Sequence, residues 1–137
     1  MSFDDVVRVL DETSVVAVVT TKADGRPVAT PIWSMVVDGV PYVRSVRGAG
    51  ARWYRDARSG RPVAFALGDG SIAERDRAAA LALPREQVAL VDVPVDDPVQ
   101  SRIDDELRRK YAAEPDAVAE MLSESARACT GRVERTD

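Results

Sequence analysis

The residues of this sequence best suited to chemistry are arginines that collect in one short window. Between Arg44 and Pro62, six arginines stand against one acid, Asp56, so the window carries a net charge of +5 and the rest of the chain −9. The six are Arg44, Arg47, Arg52, Arg55, Arg58 and Arg61. A guanidinium binds carboxylate and phosphate oxygens through a fork of N–H groups. One basic patch on an acidic molecule indicates a small anionic ligand rather than a polyanion.

The spacing within the window is that of a phosphate site. Arg44 and Ser45 precede the glycine-bearing loop RGAGAR, which ends at Arg52, so guanidinium groups, a hydroxyl and loop N–H groups fall within residues 44–52. In a regular strand Arg44 and Ser45 point to opposite faces, and both reach one ligand only near a bulge or a strand end. The alternative is that these arginines are solvated surface residues that pair with the acidic remainder of the chain.

Composition excludes several classes of site. The chain contains no histidine, which excludes Ser-His-Asp and Cys-His catalysis, the usual zinc sites and a histidine-ligated heme. The single cysteine, Cys129, has no partner for an internal disulfide, and we interpret it as a small core residue. A net charge of −4 argues against nucleic acid as a partner. No metal site is predicted, and no catalytic residue is assigned.

The length of 137 residues predicts a single domain over residues 1–137. The composition, 45% apolar and 31% charged, is that of a globular protein. No apolar run approaches the roughly 20 residues of a membrane-spanning helix, and the acidic start MSFDDVVRVL differs from a basic signal peptide. We therefore expect a cytoplasmic protein that does not contact a membrane.

The elements that must position the arginines are predicted to be mainly strands. Asp38-Gly39 is the two-residue signal of a type I′ hairpin, and the β-branched run VVAVVTT from Val15 is typical of a strand buried on both faces. The six predicted strands are residues 15–21, 27–37, 40–46, 62–67, 88–95 and 125–134. Helices are predicted after the N-cap Ser2 and over residues 51–59, 71–83, 99–112 and 115–122. This pattern describes an antiparallel barrel with helical additions.

The stretches TTKADGRPVATPIW, DGVPYVRS and GARWYRDARSGRPVAF give the sequence a family resemblance over residues 15–67. It resembles the split-barrel flavoproteins related to pyridoxamine phosphate oxidase, and within them it is most similar to the uncharacterised family DUF2255. The resemblance implies a mainly β (α+β) fold, a six-stranded antiparallel split β-barrel with peripheral helices, in a homodimer. Residues 71–87 match no part of this pattern.

The same resemblance implies a cofactor site at the dimer interface, holding FMN or coenzyme F420. The cofactor ring would lie beside the strand of Thr30, Pro31, Ile32 and Trp33. Arg44, Ser45 and Arg52 are the phosphate candidates. Trp53, with Trp33 and Tyr54, is a candidate for stacking on the ring, although large aromatic residues are more often core or interface filler.

Two functions follow from these observations, and they differ in whether a cofactor is retained. The first is an FMN- or F420-dependent oxidoreductase that transfers a hydride to or from a small conjugated or aromatic molecule. The second is a cofactor-free split barrel that binds or rearranges a small anionic metabolite in the dimer cleft. It is motivated by a departure from the family, because Ala51 or Arg52 stands where cofactor-binding relatives often have lysine. A purely structural dimer module is a third possibility.

Overall fold

The computed structural model describes residues 2–136, within which seven strands and six α-helices are formed. The strands are β1 Val16–Thr21, β2 Pro27–Ile32, β3 Met35–Val37, β4 Val40–Arg44, β5 Val63–Ala66, β6 Arg85–Asp92 and β7 Thr130–Arg135. The helices are α1 Phe3–Glu12, α2 Arg52–Ala57, α3 Arg77–Leu81, α4 Val99–Lys110, α5 Pro115–Met121 and α6 Glu124–Arg127. Two 3₁₀ turns, Gly48–Gly50 and Gly70–Glu74, precede α2 and α3.

The strands form one antiparallel sheet that must curl. Its order is β2-β1-β5-β6-β7-β4-β3, so β2 and β3 are the two edges of the sheet. A flat sheet of this size would separate its edge strands by about 29 Å, at about 4.8 Å per strand. However, only Trp33 and Ser34 lie between β2 and β3, and three Cα steps span at most about 11 Å. The edges therefore come together, and the sheet closes into a barrel-like half-shell.

Strand β1 shows how both faces of the sheet are covered. Val16 and Val18 belong to the larger core cluster inside the shell, with Val43, Tyr54 and Phe65. Their neighbours Ala17 and Val19 face the other way, into a cluster of mostly alanines that also includes Ala73 and Ala80 of the segment around α3. The prediction that this strand is buried on both faces is confirmed.

A third core cluster packs α4 and α5 against β3 and β4. The stripe Val99, Ile103, Leu107 and Tyr111, spaced four apart in the sequence, lies in this cluster, where Ile103 and Leu107 are fully buried. Spacing of this kind predicts a helix face that packs on a sheet, and the structure confirms it. At the other end of the chain, Asp5 caps α1 by accepting a hydrogen bond from the backbone N–H of Ser2 at 3.0 Å.

The fold class is confirmed in its coarse form, but the number of strands is seven and not six. The predicted strand 27–37 is interrupted at Trp33 and Ser34, so its first part pairs with β1 and its last part with β4. The backbone N–H of Ser34 donates to the Tyr111 hydroxyl at 3.1 Å instead of to a neighbouring strand. That partner is 77 residues away, and no local pattern signals it.

The hairpin between β3 and β4 is as predicted. Asp38 and Gly39 both have positive φ, 51° and 78°, as a type I′ turn requires. The predicted final strand, in contrast, is wrong over residues 125–129, where α6 ends and a turn leads into β7. Cys129 in this turn is buried in the inner core cluster, which agrees with its interpretation as a core residue.

Candidate functional site

A cavity of the described chain lies along β2. Its volume is about 550 Å³, within the range of about 300 to 1,000 Å³ that is usual for small-molecule pockets. All eight residues proposed from the sequence as a cofactor site line it, together with Arg47, Arg77, Glu120 and Met121. These eight are Thr30, Pro31, Ile32, Trp33, Arg44, Ser45, Arg52 and Trp53. The structure thus brings together residues from β2, the segment after β4, and helix α2.

Trp33 forms an ordered aromatic wall of this cavity. One face of its indole stacks on the ring of Tyr111, with the centroids 3.8 Å apart and the planes inclined by 3°. Trp33 is half-buried and lines the cavity, so part of its surface remains accessible to a ligand. A planar ligand can pack against such a wall, because aromatic faces gain about 0.5 to 1.5 kcal/mol from stacking beyond area burial.

A buried polar network fixes the position of this wall. The Tyr111 hydroxyl donates to the carbonyl of Ser14 at 2.7 Å, and the Lys110 ammonium donates to the carbonyls of Leu10 at 2.7 Å and Ser34 at 2.9 Å. Burial raises the pKa of Tyr111 to about 12 and lowers the pKa of Lys110 to about 8. The hydroxyl of Ser34 donates to Leu10 at 2.7 Å and is fully buried. We assign a structural role to this network, since its polar groups are hydrogen-bonded to one another.

Arg44 lies in the interior behind the cavity rather than across it. Its guanidinium donates to Thr130 Oγ1 at 3.0 Å, to the carbonyl of Met121 at 3.1 Å, and to the side-chain and main-chain oxygens of Gln100 at 2.8 and 3.2 Å. It also forms an ion pair with Asp104 at 2.6 Å. The side chain is completely buried, and this burial lowers its pKa. All three guanidinium nitrogens are engaged within the chain, which leaves Arg44 to support the cavity wall.

Ser45 is likewise committed to its own loop. Its hydroxyl donates to the carbonyl of Gly48 at 2.7 Å, and the residue is fully buried. Gly48 has φ +66°, a left-handed conformation that favours glycine, and it donates its N–H back to the carbonyl of Ser45 at 3.0 Å. The loop after β4 is therefore a closed turn. It leads into α2, whose first residue is Arg52.

Three other arginines of the cavity are free to bind a ligand. Arg47, Arg52 and Arg77 are exposed, and within residues 2–136 their guanidinium groups have no hydrogen-bonded or ionic partner. In contrast, Arg61 in the same window pairs with Asp56 at 3.1 Å, which neutralises that lining carboxylate. Glu120 is then the single lining carboxylate without a partner among the described residues. The cavity retains an excess of positive charge on an acidic molecule.

Trp53 and Tyr54 belong mostly to the core. Trp53 is 8% exposed, packs edge-on against Tyr54 at 5.7 Å, and presents only a small surface to the cavity. The ring of Tyr54 is buried in the inner cluster, and its hydroxyl lies 3.5 Å from Asp92, away from the cavity. Burial and the nearby Asp92 carboxylate raise the pKa of Tyr54 well above its usual range. A proton donor with such a pKa would be a weak acid at neutral pH.

Arg47 and Arg77 line the cavity but were not among the predicted site residues. Arg47 was noted as part of the basic window, and its position directly before the glycine loop was the available signal. Arg77 lies in the segment 71–87, which matched no pattern, and nothing but its residue type marked it. Ala117, Glu120 and Met121 come from α5, whose approach to the cavity depends on contacts between elements far apart in the sequence.

The fold is that of a split barrel. Eleven solved chains match it significantly. The heme storage protein HutZ from Vibrio cholerae has a TM-score of 0.63 at 15% identity, over 97% of this chain and 89% of its own. The conserved hypothetical protein Rv2991 from Mycobacterium tuberculosis has a TM-score of 0.57 at 18% identity, over 99% and 80%. A heme-binding protein from Mycobacterium smegmatis has a TM-score of 0.57 at 19% identity, over 100% of this chain and 52% of its own. At these identities the likeness concerns the fold.

Within this class, the chain belongs to the family DUF2255, described as an uncharacterised protein conserved in bacteria, whose model matches residues 6–133. The resemblance drawn from the sequence is therefore confirmed for the family, and the split-barrel fold that it implied is shared with these structures. No curated protein matches the chain. Of the residues described, no helix combines the length and apolar character needed to span a bilayer.

The prediction of FMN or coenzyme F420 as cofactor is wrong. Where the names of the similar structures give a ligand, that ligand is heme, in HutZ and in the M. smegmatis protein, and not a flavin or deazaflavin. The geometry agrees in one respect, because Arg44 and Ser45, two of the three residues assigned to the flavin phosphate, are engaged in hydrogen bonds within the chain. What remains is a split barrel with a cavity of about 550 Å³.

Proposed function

We propose that this protein binds a small planar organic anion in the cavity between β2, α2 and α3, without a flavin. The observation that carries the proposal is the set of three arginines without partners, Arg47, Arg52 and Arg77, around a cavity that is walled by Trp33. An exposed arginine alone is no site, since Arg55 on the outer surface of α2 also lacks a partner in the described chain. Convergence on one apolar cavity distinguishes the three.

The lining of the cavity has an apolar part and a cationic part, which suit the two parts of such a ligand. Val28, Ile32 and Trp33 give an apolar surface for a planar body, and the guanidinium groups give donors for a carboxylate or phosphate. A charge-assisted hydrogen bond contributes about 1.5 to 3 kcal/mol, so the loss of one arginine should weaken binding by about 10- to 100-fold. In this proposal Arg44 and Ser45 hold the wall, whereas Thr30, Pro31, Ile32, Trp33, Arg52 and the exposed edge of Trp53 face the ligand.

Heme deserves a direct comparison with the lining, because two similar structures are named for it. Heme iron is held in proteins by histidine, cysteine, methionine or tyrosine. The chain has no histidine, and neither Cys129 nor any of the three tyrosines is among the lining residues. Met121 lines the cavity, but it is 5% exposed and packs in the cluster under α4. The lining fits the planar, acidic part of a porphyrin and does not fit iron coordination.

We also propose that the protein forms a homodimer that completes the cavity. Val46 lines the cavity and is 41% exposed, a large fraction for an apolar side chain, and Ile32 and Trp33 beside it are half-buried. An apolar rim of this kind is suited to a partner surface. Sedimentation equilibrium tests it: a dimer that Val46→Asp converts to monomer supports the proposal, and a wild-type monomer at all concentrations refutes it.

The test of the proposed function is titration calorimetry with 2-naphthoate, a bicyclic monocarboxylate, at low ionic strength. We expect binding to the wild-type protein and a 10- to 100-fold loss in the variant Arg52→Ala. The matched control is Arg55→Ala, which removes another exposed arginine without a partner in the described chain, one helical turn away, and should change the affinity less than twofold. Absence of binding, or equal losses in both variants, refutes the proposal.

A second titration tests whether the binding of a porphyrin depends on its iron. Heme and iron-free protoporphyrin IX should quench the fluorescence of the two tryptophans, both of which line the cavity, with affinities within about threefold of each other. A preference for heme of tenfold or more would show that this chain coordinates iron, contrary to the fit described above.

A further inference from the structure

The segment between β5 and β6 supplies a separate arginine, Arg77, to the lining of the cavity. Arg47 and Arg52 both come from the chain after β4, where the Gly48–Gly50 turn leads into α2. Arg77, in contrast, is the first residue of α3, which packs on β2 together with the Gly70–Glu74 turn. Positive charge therefore reaches the cavity from two elements that are not neighbours in the chain.

This segment is a firmly placed support and not a loose loop. The backbone N–H of Gly70 donates to the carbonyl of Val15 at 2.9 Å, and the two chains approach so closely that a Cβ on Gly70 would lie 2.2 Å from the backbone nitrogen of Ala17. Ala73 and Ala80 bury the inner side of the segment against β1, β2 and β5. An arginine on such a support has a defined position relative to β2, which is what a specific contact requires.

The acids next to Arg77 are occupied elsewhere. Asp76, its neighbour, caps α3 by accepting a hydrogen bond from the N–H of Ala79 at 3.1 Å, and Asp69 accepts one from Ser71 at 2.9 Å. Neither forms an ion pair with Arg77 among the described residues. The guanidinium of Arg77 is therefore available to a ligand, and its charge is not neutralised within its own segment.

We propose that Arg77 is a specificity residue that selects ligands with two separated anionic groups over ligands with one. The inference rests on the proposed function and adds the charge class of the ligand: a planar dicarboxylate, or the corresponding phosphate-bearing molecule. One oxyanion is held by Arg47 and Arg52, and the second by Arg77. Two guanidinium sites on separate elements discriminate by charge count, because a ligand that lacks the second group leaves a guanidinium unpaired.

The test compares 2-naphthoate with naphthalene-2,6-dicarboxylate by calorimetry on the full-length protein. The wild-type protein should bind the dicarboxylate about 10- to 100-fold more tightly than the monocarboxylate. Arg77→Ala should remove this preference, so that the two molecules bind with affinities within about twofold of each other, whereas Arg52→Ala should weaken the binding of both. Arg75→Ala is the matched control, since Arg75 is also exposed, lies two residues away and does not line the cavity, and it should keep the preference.

The possible outcomes separate this inference from the function on which it rests. If 2-naphthoate binds with dependence on Arg52 but the dicarboxylate gains nothing, or if Arg77→Ala keeps the preference, the inference is overturned and the proposed function stands. If neither molecule binds, both are overturned. Replacing the carboxylates by phosphates in the same frame identifies the oxyanion: tighter binding of 2-naphthyl phosphate than of 2-naphthoate would assign a phosphate to the site of Arg47 and Arg52, and weaker binding a carboxylate.

Discussion

Replacement of Arg44 by methionine should reveal how the cavity wall is held. Methionine can follow much of the path of the arginine stem, but it leaves Asp104, the side chain of Gln100 and the carbonyl of Met121 without their guanidinium partner. Removing one partner of a buried ion pair costs about 3 to 5 kcal/mol. The remaining contact of Asp104 with Arg127, at 3.5 Å, compensates only part of the charge that Arg44 leaves. Such a cost is a large fraction of the roughly 5 to 15 kcal/mol by which domains are stable.

The assay is urea denaturation followed by tryptophan fluorescence. With a slope of about 2 kcal/mol per molar urea, the midpoint of Arg44→Met should fall by about 1.5 to 2.5 M. The control is Arg58→Met, which breaks an ion pair with Asp92 whose two side chains are about half exposed and should cost less than about 1 kcal/mol. The double variant Arg44→Met/Asp104→Leu should recover part of the loss. Equal midpoints for Arg44→Met and Arg58→Met would refute the assignment of Arg44 to the interior.

Three further predictions concern the supports of the cavity. Gly70→Ala should destabilise the protein by about 1 to 3 kcal/mol or more, because the added Cβ would collide with the backbone of β1. Gly50→Ala is the control, since a Cβ there meets nothing within 4 Å, and it should leave the melting temperature unchanged. Equal melting temperatures for the two variants would contradict the close approach of Gly70 to β1. Tyr111→Phe should lower the free energy of unfolding, measured by urea denaturation, by about 1 to 3 kcal/mol, since the N–H of Ser34 loses its acceptor and the carbonyl of Ser14 its donor. A loss no greater than that of Tyr54→Phe would contradict a supporting role of the Tyr111 hydroxyl. Lys110 has a folded-state pKa of about 8, below its ordinary value near 10.5, so the unfolded chain binds more protons between these values and stability should rise with pH across that window. The difference in unfolding free energy between wild type and Lys110→Met should show this rise, and a difference independent of pH contradicts it.

Features set by neighbouring residues were predictable from the sequence. The type I′ turn at Asp38-Gly39 follows from the left-handed conformation that both residues accept. The doubly buried strand β1 follows from its β-branched run, and the core stripe of α4 from its spacing. The lining of the cavity by Thr30 to Trp33 followed from the family resemblance, which also indicated that Arg52 lies nearby.

Features set by distant partners were not predictable. The interruption at Trp33 and Ser34 depends on hydrogen bonds with Leu10 of α1 and with Tyr111, which directly follows α4. Arg44 is drawn into the interior by Asp104, 60 residues later, and one arginine in a basic window looks like another until its partner is known. Arg77 reaches the cavity because alanines dock its segment on the sheet, and small apolar residues carry little directional information.

The central claim is that the exposed arginines, and not Arg44, hold an anion against Trp33. A crystal structure of the protein with naphthalene-2,6-dicarboxylate tests it most directly. We expect the ring system on the free side of Trp33 and one carboxylate about 2.7 to 3.2 Å from a guanidinium nitrogen of Arg52 or Arg47. Arg44 should still be paired with Asp104. A dicarboxylate bound outside this cavity, or one that draws Arg44 away from Asp104, would contradict it.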